Sequence, residues 1–462
     1  MKLSQINRVY FIGIGGIGMS ALARYFNVLK KPVGGYDKVS KPLTQQLEKE
    51  GMIIHYKDEP TLIPSPFTEN KKNTLVIYTP AIPSNHTELN YFKEKGYTIK
   101  KRSEVLGMLS KELKCIGIAG THGKTSISTL TAHIFNNSNL GCNAFLGGIS
   151  KNYNNNLIIN PKSKHLIAEA DEFDRSFLQL NPELALITSI DQDHLDIFND
   201  QKSLNEAFSE FAGRISKNGT LIKHKDVSLT MPEDKKISQY TYSLNGPSDF
   251  YAENILFKEE KYWFDFVTPE EKYTKIPFAL PGSLNIENAI AALSIAYVYG
   301  IDKTTMINSL KNFSGIERRF DFQIKNDNLI YIDDYAHHPS EISYTIKSIR
   351  EMYPNKKILG VFQPHLYSRT QHLAKEFAKS LQLLDETIIL DIYPAREEPI
   401  EGVSAEIIKS QIENTPVNLS SKDELINLIN TKDFEILITM GAGDIDQLVE
   451  PIKKNFTENS EE

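Results

Sequence analysis

Apolar positions along this chain fall in short uninterrupted runs rather than in strict alternation. RVYFIGI (8–14), TLVIY (74–78), KCIGIA (114–119), LALITS (184–189), LIYID (329–333), KILGVF (357–362) and FEILITM (434–440) are each bounded by turn-forming or polar residues. Runs of this length predict strands buried on both faces. The segments 33–37, 166–169 and 387–390 read the same way. Between them, 19–29, the stretch from Lys124 and 285–299 carry helical spacing. Strands alternating with helices predict parallel, doubly wound sheets. The Asn- and Lys-rich residues 150–164 are predicted as a surface loop. Residues 226–278, with aromatics at Tyr262, Trp263, Phe264 and Phe266, are predicted as antiparallel strands, and 457–462 as a frayed end.

The strand–turn–helix grammar starts three times, near residues 8, 114 and 316. With 462 residues and about 150 residues per domain, three domains are also the length prior. The predicted class is α/β: an N-terminal Rossmann-like doubly wound sheet (1–107), a central P-loop ATPase-like α/β domain (108–315) and a C-terminal Rossmann-like domain (316–462). Charge refines this only slightly. Fifty-two basic against 59 acidic residues leave a net of −7, which speaks against a chain built to hold nucleic acid. Cys115 and Cys142 are too few for a disulfide framework and suit a reducing cytoplasm. The apolar stretch 9–23 superficially resembles a secretory signal, but Gly13, Gly15, Gly16 and Gly18 would break such a helix. No run approaches the ~18 apolar residues of a membrane span.

Two glycine loops carry the candidate chemistry. Gly13-Ile14-Gly15-Gly16-Ile17-Gly18 fits GxGxxG between a strand and a helix, a geometry that offers backbone N–H groups to a phosphate. Asp37 follows 19 residues after Gly18, where an acid could meet a ribose. The motif points to a phosphate-bearing ligand and leaves its identity open, with NAD among the candidates. Nothing elsewhere in the chain supplies hydride chemistry.

The second loop, Gly120-Thr121-His122-Gly123-Lys124-Thr125-Ser126, is more specific. Its amides would cradle phosphates, Lys124 would reach the β/γ oxygens, and the Thr125 hydroxyl would ligate Mg²⁺. It departs from the strict Walker pattern, which needs a glycine where Ile118 stands. Acids crowd the ends of the next strands. Glu169, Asp171, Glu172 and Asp174 follow one, and Asp191, Asp193, His194 and Asp196 follow another. Carboxylate oxygens suit Mg²⁺ and also Mn²⁺.

Together these motifs resemble the Mur ligases, which build the peptide stem of bacterial peptidoglycan. The resemblance runs through Gly13–Ser20, Gly120–Thr125, Glu169–Glu172, Asp193–Asp196, Arg318–Phe320, Asp333–Pro339, Phe362–His365, Tyr393–Glu397 and Gly441–Asp444. It implies an ATP-dependent enzyme that activates the carboxylate of UDP-N-acetylmuramate as an acyl phosphate and joins it to an amino acid. The Tyr393–Glu397 stretch looks like that of the members that add L-alanine. By the same resemblance, Gly13, Gly15, Gly16, Gly18 and Asp37 would bind the UDP sugar. Gly120 to Ser126 would bind ATP, with Asn285 and Asn288 on the adenine side and Arg319 and Asp334 reaching it from the C-terminal domain. Thr125, Glu169 and His194 would hold the metal. Lys124, His194, Arg319, His338 and Arg369 would act in catalysis, with His338 as base or as anchor of the incoming amine.

This chain has Leu284 where the family usually has His, and Leu366 where it often has Arg. Arg369 remains as a nearby cation. No lysine lies in 191–200, so no carbamylated lysine is expected. The resemblance implies small-molecule substrates, no nucleic-acid or membrane partner, a cytoplasmic location, and leaves monomer and homodimer both open. Three other readings are separable by experiment. A sister ligase would attach a whole peptide, a nicotinamide-dependent oxidoreductase would use the first loop alone, and a catalytically inert sensor would bind nucleotide without turnover.

Overall fold

The computed structural model describes residues 3–191, 200–231, 235–395 and 397–458. They fall into two compact units. One comprises Met1–Asn254, Phe264–Pro277 and Glu287–Phe313; the other comprises Ile255–Trp263, Phe278–Ile286 and Ser314–Glu462.

The first unit holds two parallel sheets. Five strands lie in the order Ile53–His55, Val33–Tyr36, Arg8–Ile12, Thr74–Tyr78, Thr98–Lys101, all parallel. The central strand is buried from Val9 to Ile12, as its unbroken apolar run requires. Seven strands form the next sheet, in the order Ser238–Tyr242, Thr220–His224, Leu184–Ile187, Lys114–Ala119, His165–Ala170, Asn143–Ser150, Asn155–Ile158. Its last pair is antiparallel. The register Ile118↔Glu169 and Ala119↔Ala170 sets an acid beside the strand that opens the second glycine loop.

The second unit holds a six-stranded sheet in the order Asp321–Lys325, Ile330–Asp334, Ile436–Met440, Ile358–Phe362, Glu386–Leu390, Val417–Ser420. It is parallel apart from its first pair. Three separate parallel sheets give the α/β class expected from the three restarts. Among the described residues no helix is long and apolar enough to cross a membrane.

Two local expectations need correction. Residues 150–164 are not simply a surface loop, because Asn155–Ile158 is a strand and Asn156 is fully buried. Asn156 Nδ2 donates to Ile17 O (2.6 Å) and Ser20 Oγ (3.0 Å), and its Oδ1 accepts from Arg24 Nη1 (2.7 Å). Asn156, one of the polar residues that suggested a loop, spends its side chain in these bonds to the helix Ile17–Val28. Residues 226–278 do contain the three-stranded sheet Tyr251–Lys258, Lys261–Val267, Lys272–Phe278, but Ser238–Tyr242 instead extends the parallel sheet. The terminal helix Asp446–Glu458 includes Thr457 and Glu458 of the stretch expected to fray; residues 459–462 lie outside the described residues.

Candidate active site

The second glycine loop is shaped by the strands on either side of it. Gly120 has φ +128° and Gly123 φ +79°, backbone conformations that residues with a Cβ avoid. Gly123 also caps the helix Lys124–Asn137, which points free amides at the loop. The tail of the neighbouring strand clamps the loop from outside. Thr188 Oγ1 donates to His122 O (2.6 Å), Thr121 Oγ1 and Ser189 Oγ are 2.7 Å apart, and Asp191 N donates to Thr121 Oγ1 (3.1 Å). His122 Nε2 stands 3.4 Å from Asp191 Oδ2. Ser126 sits half-buried in the first helical turn. Asn288 presses on the loop as well: a Cβ at Gly123 would lie 2.7 Å from its Oδ1.

Lys124 Nζ donates to Gly120 O (2.6 Å) and to both oxygens of Glu172 (2.9 and 2.8 Å). Burial works against its charge, but the carboxylates of Glu172, Asp171 and Glu169 hold its pKa above the usual lysine value. Thr125 Oγ1 lies 3.1 Å from each oxygen of Glu169. These hard oxygens fit a divalent cation of the Mg²⁺ type, which commonly takes one or two protein oxygens and fills the rest of its shell with water and phosphate. A cradle is left open for it, because a Cβ at Gly147 would overlap Glu169 Oε2 and stand 2.8 Å from Thr125 Oγ1. No group of three or more metal-binding side chains occurs among the described residues. His194, expected as a further ligand, lies outside the described residues, as do Asp193 and Asp196.

The first loop is built on the same plan. Gly13 has φ +86°, and the amides of Gly13 and Ile14 donate to Tyr36 O (2.8 and 3.0 Å). Gly16 caps the helix Ile17–Val28. Asp37 Oδ2 accepts from the Gly15 amide at 2.7 Å. In this arrangement the acid braces the loop. The Arg102 side chain lies across Gly18, where a Cβ would stand 2.7 Å from Nη1.

A single cleft of about 790 Å³ is lined by Gly13, Gly16, Gly18, Asp37, Lys38 and Arg102 and also by Gly147, Glu169 and Asp171. Within one unit it runs from the first loop to Glu169, whose carboxylate meets the Thr125 hydroxyl at the end of the second loop. Tyr36, Asp58 and His86 line it too. Arg102, Lys38, Asp58, His86 and Gly147 were not singled out from sequence. Two of them left a trace: Arg102 ends the basic run Lys100-Lys101-Arg102 at a strand's carboxyl edge, and Gly147-Gly148 interrupts an apolar strand, a sign of close backbone approach.

The remaining expected residues lie in the second unit. Asn285 donates to Pro281 O (2.6 Å) and so braces its own helix start. Asp334 is held by the amides of Phe320 (2.8 Å) and Ala336 (2.7 Å). Its burial pushes the carboxyl up to about 6 against the pull of Arg319. The Arg319 guanidinium lies 5.0 Å from the Tyr335 ring centre. His338 caps the helix Pro339–Met352, with Nδ1 2.8 Å from Ser340 Oγ. Arg369 stands in the helix Tyr367–His372. Burial lowers the pKa of neighbouring His337, as do the charges of Arg369 and Arg319, while Glu341 opposes them. Two motifs that are distant in sequence meet here: Gln363 accepts from Ile445 N (2.9 Å) and donates to Asp444 Oδ1 (2.8 Å). Leu366 takes φ +69° and is buried, so this departure from the family pattern occupies a strained position.

A lysine-bearing glycine loop beside a strand-end carboxylate, with one cleft running from that carboxylate to another glycine loop, defines a nucleotide-using α/β protein. Comparison with known families makes the class specific. Residues 8–114 match the Mur ligase family catalytic domain, 118–296 the Mur ligase middle domain, and 318–443 the Mur ligase glutamate ligase domain. The chain belongs to the Mur ligase family. It is 46% identical over 454 residues to the UDP-N-acetylmuramate–L-alanine ligase of Parabacteroides distasonis, covering 98% of each chain. It is 47% identical over 458 residues to the enzyme of that name from Flavobacterium psychrophilum, covering 99% of this chain and 100% of the relative. Among solved structures, the UDP-N-acetylmuramate–alanine ligase of Thermotoga maritima superposes with a TM-score of 0.82 at 24% identity, covering 98% and 99% of the two chains. A murein peptide ligase from Psychrobacter arcticus superposes with 0.68 at 21% identity, covering 97% and 98%. At those identities the two structures speak for the fold.

Proposed function

We propose that the protein is an ATP-dependent ligase that joins L-alanine to the carboxylate of UDP-N-acetylmuramate in peptidoglycan precursor synthesis. The observation that carries this reading is the single cleft from the first glycine loop to Glu169 and Gly147. It offers a nucleotide sugar a seat at one loop while its carboxylate reaches the phosphates at the other. The full-length relatives of that name support the choice of substrates. Dependence on ATP and a divalent cation follows from the family. Mg²⁺ is the cation proposed here, with Mn²⁺ accepted by the same oxygens. The work is divided along the chain as 1–107 for the UDP sugar, 108–315 for ATP and 316–462 for the amino acid, in the cytoplasm.

A carboxylate and an amine do not condense unaided, because the carboxylate has no good leaving group. Attack of a carboxylate oxygen on the γ-phosphorus of ATP forms an acyl phosphate and releases ADP. The alanine amine then attacks the acyl carbon, and phosphate leaves as the amide forms. Phosphoryl transfer depends chiefly on positioning and charge neutralisation. Lys124 and the loop amides meet the β/γ oxygens, and Asn285 and Asn288 take the adenine side. Thr125, Glu169 and His194 hold the cation, which supplies charge neutralisation on the phosphates when bound. Arg319 and Arg369 supply positive charge for the phosphate and the tetrahedral oxyanion. Asp334 orients the Arg319 region, and His338 acts as base toward the amine or anchors it.

The test is phosphate release with ATP and Mg²⁺, adding UDP-N-acetylmuramate and L-alanine separately and then together. Release that needs both and disappears in Lys124→Ala supports the reading. Release that prefers a peptide to alanine assigns the protein to the peptide-adding ligases. No release from folded, nucleotide-binding protein overturns the enzyme reading.

A further inference from the structure

The ammonium of Lys124 is fully engaged. It has three N–H donors, and three close acceptors surround it: Gly120 O at 2.6 Å and the Glu172 oxygens at 2.9 and 2.8 Å. In this arrangement no donor remains for a phosphate. The pair is also desolvated, with the Glu172 side chain entirely buried and that of Lys124 12% exposed. A triphosphate reaching the loop must therefore draw Lys124 away from a buried acid. Stripping a buried carboxylate of a counter-charge is strongly unfavourable, and the incoming phosphates are themselves negative. The exchange becomes favourable when another positive charge arrives at the same turn. Thr125 and Glu169 offer the place for it, since Glu169 precedes Glu172 by three residues and its oxygens lie 3.1 Å from Thr125 Oγ1.

From this geometry we infer that Glu172 is a positioning residue that holds Lys124 in reserve and makes triphosphate binding conditional on the divalent cation. The inference rests on the reading of this loop as the ATP site. It concerns order and coupling, which the loop motif alone does not specify. Metal-free triphosphate meets an occupied lysine, whereas the metal complex brings the charge that replaces it.

The experiment is calorimetric titration of the full-length protein with ATP, once in excess EDTA and once in Mg²⁺. The quantity read is the ratio of the two Kd values. Glu172→Gln keeps the shape and removes the charge. It is expected to tighten metal-free ATP binding at least tenfold and to shrink the ratio accordingly. Glu172→Asp withdraws the carboxylate by one methylene and is expected to move the ratio the same way by a smaller factor, so it decides the question if the glutamine variant does not fold. A general charge effect is separated by a double-mutant cycle: in a Lys124→Met background the gain from Glu172→Gln must vanish. An unchanged ratio in both Glu172 variants, or a gain that persists without Lys124, overturns the inference alone. Failure of the wild-type chain to bind ATP with Mg²⁺ overturns the ATP reading and this inference with it.

Discussion

Thr125 Oγ1 lies 3.1 Å from both carboxylate oxygens of Glu169, because the parallel register Ile118↔Glu169 carries the acid to the edge where the glycine loop turns into its helix. Two side chains thus bring hard oxygens together beside Lys124. Removing either should weaken the cation far more than the fold. For Thr125→Ala and Glu169→Gln the expected loss in kcat is roughly 100-fold, equivalent to about 3 kcal/mol of transition-state stabilisation. Thermal midpoints should stay near wild type. Steady-state rates across a Mg²⁺ titration check this, and full activity in Glu169→Gln at ordinary Mg²⁺ would remove Glu169 from the cation site.

Gly147 gives an independent probe of the same place. Its φ lies outside the left-handed region and its strand position is exposed, so alanine is tolerated by the backbone. The added Cβ, however, would overlap Glu169 Oε2 and crowd Thr125 Oγ1 at 2.8 Å. Gly147→Ala should therefore leave stability within about 1 kcal/mol while raising the Mg²⁺ concentration needed for half-maximal rate at least tenfold. A variant with wild-type metal dependence would show that the cation sits elsewhere.

At the other end of the cleft, Arg102 packs across Gly18 and lines the wall next to the first loop. If a diphosphate sits on that loop, Arg102 is the guanidinium placed to meet it. Charge-assisted hydrogen bonds contribute about 1.5–3 kcal/mol. Arg102→Ala should then raise the KM for UDP-N-acetylmuramate by about 10- to 100-fold, with the KM for ATP little changed. Equal effects on both substrates would point to a loss of loop structure instead.

Much of this was legible in the chain. Arg8–Ile12, Thr74–Tyr78 and Lys114–Ala119 emerge as strands because continuous apolar runs have nowhere to go but a sheet buried on both faces. Both glycine loops were readable because a positive φ at Gly13 and Gly123 leaves few alternatives. The strand Asn155–Ile158 was hidden because hydrogen bonds to Ile17, Ser20 and Arg24, more than 130 positions away, stabilise it, and no local pattern records them. Arg102 left only the trace of a basic run at a strand end, since its place in the cleft depends on lying across Gly18. The brace from Asp37 to the Gly15 amide used an acid that spacing alone assigned to a ligand.

Glu88 offers a test of the fold beneath the cleft. Its carboxylate is fully buried, accepts from Tyr10 Oη at 2.8 Å and stands 3.3 Å from His55 Nε2. Burial pushes its pKa up to about 7, partly offset by the hydrogen bond from Tyr10. An unfolded chain releases this proton near 4.5, the ordinary glutamate value. Between those two values the native state holds a proton that the unfolded state has lost. By linkage, stability falls as pH rises through that window and the loss is complete above it. Glu88→Gln keeps a carbonyl for the Tyr10 hydroxyl and has no proton to lose. Measured by urea unfolding, the stability of the variant relative to wild type should rise between pH 5 and pH 7.5. A difference that stays constant across that range would mean that Glu88 is ionised throughout it, with its charge balanced by His55 and the Tyr10 hydroxyl against the repulsion of Asp58.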